Sequence, residues 1–104
     1  MKSNLVYITA KDKKEAGKIA RALVRTRLAA CVNIIGNINS VYRWEGKIES
    51  GKEALLVVKT KKSLVPAVIK KVKSIHSYTC PCIITLPVSD GNKDYLLWIE
   101  KEVK

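Results

Sequence analysis

The sequence predicts an α+β fold, a ferredoxin-like split βαβ sandwich in the order β-α-β-β-α-β with an added C-terminal helix and a long central hairpin. Three observations carry that reading. Two amphipathic segments with helical spacing are each bracketed by strand-like runs. The two halves meet at Ser40-Val41-Tyr42-Arg43-Trp44-Glu45-Gly46-Lys47-Ile48-Glu49, strand formers around a tight bend in which Gly46 supplies the backbone freedom of a turn. This hairpin is also long. From Leu28 to Trp44, 17 residues with both ends counted, full extension at about 3.3 Å per residue would span roughly 55 Å. A compact domain of this length is roughly 30–35 Å across. The hairpin is therefore expected to overhang its own domain, leaving unpaired edges with Tyr42 and Trp44 for a partner subunit to cover. A break at Gly36-Asn37 into two short strands is the competing reading.

The elements follow in order. Asn4-Leu5-Val6-Tyr7-Ile8-Thr9-Ala10 reads as the first strand. Asp12 offers an N-cap, with Glu15 three residues on to complete a capping box. Ala16, Ile19, Ala20, Leu23 and Val24 form one apolar stripe, and Lys14, Lys18, Arg21 and Arg25 fall on the wet side. Thr26-Arg27 closes this helix. The outgoing strand is expected from Leu28 and the return strand through Glu53–Thr60, with Gly51 marking a bulge. Thr60 or Ser63 can cap a second helix that tolerates Pro66 in its first turn. Its stripe is Val65, Val68, Ile69, Val72 and Ile75. After the connector His76-Ser77-Tyr78-Thr79, Pro81 opens a last core strand over Cys82–Val88. Asn92 caps a third helix from Lys93 to about Val103, with Leu96, Ile99 and Val103 on one face.

Residues 1–104 read as a single domain with no repeat, linker or low-complexity segment. No apolar run is long enough for a membrane helix. Met1-Lys2-Ser3-Asn4-Leu5 leads straight into strand pattern rather than into a signal-peptide apolar region. Three cysteines, an odd count, fit a cytoplasmic protein without a disulfide framework. The formal net charge of +11 admits an anionic partner, and a basic nucleic-acid-binding module is the alternative function. The basic residues, however, lie on the wet helix faces. The strand that would carry stacking aromatics in an RNA reader is instead Ala54-Leu55-Leu56-Val57-Val58.

Chemistry concentrates at His76-x3-Cys80-Pro81-Cys82. Imidazole and thiolate suit Cu(I) and Zn(II), and two cysteines two apart in an extended segment point to one side. Small residues packed in a partly buried strand is the competing reading. Cys31, in an apolar strand, reads as a packed thiol. Tyr42, Trp44, Tyr78, Tyr95 and Trp98 could line a pocket, although aromatics on strands more often fill a core or interface. There is no Gly-rich phosphate loop and no G-x-S-x-G elbow, so no enzyme is expected.

These stretches together resemble the CutA family, the divalent-cation tolerance proteins. The matching pieces are Leu28-Ala29-Ala30-Cys31-Val32-Asn33, Ser40-x-Tyr42-x-Trp44-x-Gly46-x-Ile48, Lys59-Thr60, His76-x-Tyr78, Pro81, Leu86-Pro87-Val88 and Gly91-Asn92-x-Asp94-Tyr95-Leu96-x-Trp98-Ile99. The resemblance implies a tight homotrimer, a cytoplasmic location in prokaryotes, binding of copper or another divalent metal ion, no established catalysis, and an assembly like that of the PII signalling proteins. It places Cys31, Tyr42, Trp44, Lys59, Tyr78 and Trp98 at the inter-subunit cleft or interface, while the metal candidates His76, Cys80 and Cys82 come from the side-chain chemistry above. The chain departs from the family's His-Pro-Tyr-Glu, then Pro-Glu, at Ser77, Thr79 and Cys82. Ile8 stands where some copper-binding bacterial members carry cysteine. Gly36 replaces the family proline before the hairpin. Any metal site would thereby shift from oxygen toward sulfur.

Overall fold

The computed structural model describes residues 2–104. Its order is β1 (Ser3–Ala10), α1 (Lys13–Arg25), β2 (Cys31–Trp44), β3 (Lys47–Lys61), a 3-10 turn at Lys62–Leu64, α2 (Val65–Ile75), β4 (Ile83–Pro87) and α3 (Lys93–Glu102). The strands form one antiparallel sheet in the order β2-β3-β1-β4, the arrangement of a split βαβ sandwich. Alternation fixes its two faces. Val6, Ile8 and Ala10 on β1 and Ala54, Leu56 and Val58 on β3 are buried with Ala16, Ile19 and Leu23 of α1 and Val65, Val68 and Val72 of α2. Leu5, Tyr7 and Thr9, with Leu55, Val57 and Lys59, alternate with them onto the opposite, open face.

The hairpin overhangs. β1 pairs with β3 only from Lys61 back to Ala54, and beyond that point β2 and β3 pair with each other alone, from Ile38↔Glu53 to Trp44↔Lys47. The molecule is drawn out to 44 × 25 × 22 Å. The turn is a two-residue one: Glu45 (φ 49) and Gly46 (φ 81) are both left-handed, as a type I′ hairpin requires. The strand is not broken at Gly36-Asn37. It carries a bulge there, with one residue more on β2 than on β3 between the pairs Ile35↔Leu55 and Ile38↔Glu53. That extra residue reverses the alternation of β2. Cys31, Asn33 and Ile35 lie on the open face before the bulge, and Ile38, Ser40, Tyr42 and Trp44 lie on it afterwards. Without the bulge, Tyr42 and Trp44 would project from the helix side.

Several expectations change. β2 begins at Cys31 rather than Leu28, because Arg27 turns left-handed (φ 60) and the amides of Leu28 and Ala29 both donate to the Leu23 carbonyl, closing α1. Leu28 and Ala29 are core residues in that turn. Fourteen extended residues would span about 46 Å, in keeping with the 44 Å axis. Gly51 sits in regular register opposite Ser40, so the expected bulge is not there. Neither Thr60 nor Ser63 caps α2, which has no side-chain N-cap. Thr60 is the end of the buried stripe of β3, and its hydroxyl donates to the Leu28 carbonyl at 2.7 Å. Val24 is exposed. The segment read as a last core strand is instead an edge: β4 spans Ile83–Pro87, pairs only with β1, and leaves Ile84 and Leu86 exposed. Asn92 caps α3 as expected, its side-chain oxygen accepting from the Asp94 amide at 3.1 Å. The far end of α3 is held by Arg27, whose guanidinium donates to the carbonyls of Lys101 and Glu102.

Candidate functional site

Where the overhang leaves the domain, the open face of the sheet and the segment between α2 and β4 enclose a cleft of about 610 Å³. β1 contributes Tyr7 and Thr9, the outgoing arm of the hairpin contributes Ser40, Tyr42 and Trp44, and the return arm contributes Glu53. The connector supplies Tyr78, Thr79, Cys80 and Cys82. Such a mixture of aromatic walls with a few polar groups is what ligand clefts commonly show.

The connector is pinned at four points. The His76 ring approaches the Thr9 carbonyl through Nε2 at 2.8 Å, and its Nδ1 accepts from the Tyr78 amide at 3.0 Å. Because Nδ1 accepts an N–H, the ring proton sits on Nε2 and is donated to Thr9, an assignment made by the partners. Next to it, the Ser77 amide donates to Glu15 Oε2 at 2.8 Å, while Oε1 of the same carboxylate accepts from the Lys11 amide at 3.0 Å. The Tyr78 hydroxyl donates to Glu53 Oε2 at 2.8 Å, and its ring lies 4.8 Å from that of His76. At the other end, the Thr9 amide donates to the Cys82 carbonyl at 3.4 Å.

The capping box is thus half formed. Asp12 accepts from the Glu15 amide at 2.8 Å, but the Glu15 carboxylate reaches past the cap residue to Lys11 and across to the connector. Burial alone would push the Glu15 carboxyl up, yet the hydrogen bonds from Ser77 and Lys11 outweigh it and hold the group below its ordinary value. Burial, then the hydrogen bond to Glu53 and the charge of that carboxylate, push the Tyr78 phenol well above its ordinary value. In an ultraviolet pH titration the phenolate of Tyr78 should therefore emerge only beyond the free-phenol range, and Tyr78→Phe should delete that late step. An unchanged curve in the variant would separate Tyr78 from Glu53.

The nominated residues divide into two groups. Tyr42, Trp44, Tyr78, Cys80 and Cys82 share the cleft. Cys31, Lys59, Trp98 and the metal candidate His76 do not line it. Cys31 is the cross-strand partner of Lys59 near the start of β2. The Lys59 ammonium donates to the Tyr95 hydroxyl at 3.1 Å and sits 5.3 Å from that ring's centroid, and Tyr95 in turn contacts Trp98 at 5.4 Å. Glu53, Tyr7 and Thr9 carry no motif, and Glu15 was readable only as the second half of the capping box. Only the alternation of β1 and β3 could have placed the first three on the open face.

The donor set does not fit a divalent cation held by one chain. Among the described residues no three of His, Cys, Asp or Glu gather as a metal-binding group. Both ring nitrogens of His76 are engaged with backbone. One oxygen of Glu53 is engaged with Tyr78. Zn(II) takes three or four protein ligands, and Mg(II) and Ca(II) take six or more oxygens.

Residues 4–102 match the family model described as CutA1 divalent ion tolerance protein. The chain is 44% identical over 97 residues to the divalent-cation tolerance protein CutA of Thermus thermophilus, covering 93% of this chain and 94% of that one. It is 48% identical over 95 residues to protein CutA of Mus musculus, covering 91% of this chain but 54% of the mouse protein, so it spans about half the length of that relative. The crystal structure of CutA1 from Oryza sativa superposes with a TM-score of 0.97 at 40% identity, covering all of this chain and 95% of that one.

Proposed function

The chain belongs to the CutA1 family of divalent ion tolerance proteins, and from that premise we propose that it works as a non-catalytic homotrimer that binds metal ions, copper first among them, and signals in the manner of PII proteins. The overhanging hairpin is the observation that carries the assembly. It is apolar on both faces: Tyr42 and Trp44 are about half exposed on one side, and Val41 (74%) and Ile48 (70%) stand out on the other. Ile35, Ile84 and Leu86 continue the exposed apolar surface along the sheet. Two-strand ribbons with bare faces are marginal in water, and such surfaces mark interfaces. A hairpin that reaches away from its own domain fits a heterologous contact, and such contacts close into rings. The family resemblance supplies the number three.

His76 supports a binding role over catalysis, because its ring is committed to two backbone partners and has no lone pair left for a general base. Three free cysteines support a reducing compartment, the cytoplasm. Among the described residues no helix is long and apolar enough to cross a membrane. Sedimentation equilibrium at micromolar concentration tests the assembly: a species of three times the chain mass is expected, and a monomer would end this reading.

A further inference from the structure

We propose that Cys80 and Cys82 form a two-thiolate site for a soft monovalent d10 cation, of which Cu(I) is the probe, with His76 outside the coordination. The proposal rests on the reading of the chain as a metal-binding protein and concerns which groups and which class of ion are involved.

Both cysteines are free and both line the cleft, Cys80 exposed at its mouth and Cys82 half-buried. Pro81 between them fixes its own φ and biases Cys80 toward extended backbone, which narrows the conformations the pair can take. Two residues apart in the chain, their α-carbons are separated by at most about 7 Å. Two metal–sulfur bonds of about 2.3 Å each, laid in line, span about 4.6 Å. Staggered rotamers in which the two side chains turn toward one another are the ones that bring the sulfurs within that span. Soft sulfur donors select Cu(I), whereas carboxylate, carbonyl and water select Mg, Ca and Mn.

The surroundings withhold a third ligand. The imidazole lone pair on Nδ1 receives the Tyr78 amide and Nε2–H is turned to Thr9. Recruiting His76 would unpin the connector. Glu53 faces the cleft but accepts the Tyr78 hydroxyl. The rest of the lining is the rings of Tyr7, Tyr42, Trp44 and Tyr78 and the hydroxyls of Thr9, Ser40, Ser77 and Thr79, neutral oxygens that a soft cation takes less readily than thiolate. A site of two sulfurs leaves a divalent cation short of ligands and satisfies a d10 monovalent one. Binding releases one proton from each thiol, with no change of oxidation state.

The test uses the reduced native protein, titrated with Cu(I) against a competing chelator and with Zn(II) in parallel. One Cu(I) per chain and two sulfur neighbours without imidazole in X-ray absorption are expected. Cys80→Ser/Cys82→Ser should weaken Cu(I) by at least about a hundredfold, since outer-shell changes alone cost about 10–100-fold. His76→Gln should weaken Cu(I) by less than about tenfold, the low end of that outer-shell range. Equal Cu(I) affinity in the double-serine variant, or tighter Zn(II) than Cu(I) binding, overturns this inference and leaves metal binding itself standing. Imidazole in the wild-type absorption spectrum overturns it as well, a reading that does not depend on the His76 variant folding. Wild type that retains neither ion overturns both the site and the metal-binding reading.

Discussion

Glu15→Ala is expected to cost about 2–3 kcal/mol of stability and to release the wall of the cleft. The buried carboxylate accepts two backbone amides, Lys11 and Ser77, at 3.0 and 2.8 Å. Hydrogen bonds to a charged group are worth about 1.5–3 kcal/mol each. The lower end applies here because both donor residues are exposed and water can replace part of the loss. The effect should be local as well as global. Ser77 is the residue between His76 and Tyr78, so freeing its amide loosens the pins on either side of it. Urea denaturation reads the first consequence, and hydrogen exchange at the Ser77 and Tyr78 amides reads the second. The pH dependence has a definite sign. The folded carboxyl lies below its ordinary value, so its contribution is complete above the unfolded value and is lost as pH falls through the folded one. The gap between wild type and Glu15→Gln should accordingly close in acid. A gap that widens in acid, or unchanged protection at Ser77, would show that Glu15 does not hold the connector and would leave it to His76, Glu53 and Thr9.

Legibility tracked the range of the interaction. The Asp12 and Asn92 caps are local devices, and both residues do what their positions imply. The stripes of α1 and α2 were readable because one face meets the sheet, yet Val24 at the end of its stripe lies beyond the sheet's reach and is exposed. The apolar run Cys82–Val88 looked like core because pattern alone does not separate a strand covered on both sides from an edge strand. Here β1 is its sole strand neighbour among the described residues, and Ile84 and Leu86 stay exposed. The bulge was misplaced for a related reason. Gly51 has the composition of a bulge, but the register is set by Asn37, which takes a positive φ of 56 without being glycine. In the site, Tyr42, Trp44, Tyr78 and the two cysteines were legible as residue types suited to a cleft. The state of His76 was not, since its partners are the Thr9 carbonyl and the Tyr78 amide, and backbone groups leave no signature in sequence.

Trp44→Ala should dissociate the proposed trimer while leaving the single-chain fold intact. Trp44 lies at the end of the overhang, beyond the part of β3 that β1 covers, and half of it is exposed within its own chain. Its removal therefore takes little from the core, which is built from residues such as Ile8, Leu23 and Leu56. Buried between chains, the same indole would cost about 3–5 kcal/mol to truncate, a factor of roughly 10²–10⁴ in each contact. A ring repeats that loss at every interface. Sedimentation velocity over a dilution series should show smaller species at concentrations where wild type stays assembled, with the far-ultraviolet dichroism of the two proteins alike. Val24→Ala, which trims a comparably exposed residue on the outer side of α1, should leave the assembly as it is. Equal sedimentation of Trp44→Ala and wild type would show that the hairpin tip is not part of the seal, and would move the interface to the sheet surface around Ile35, Ile84 and Leu86.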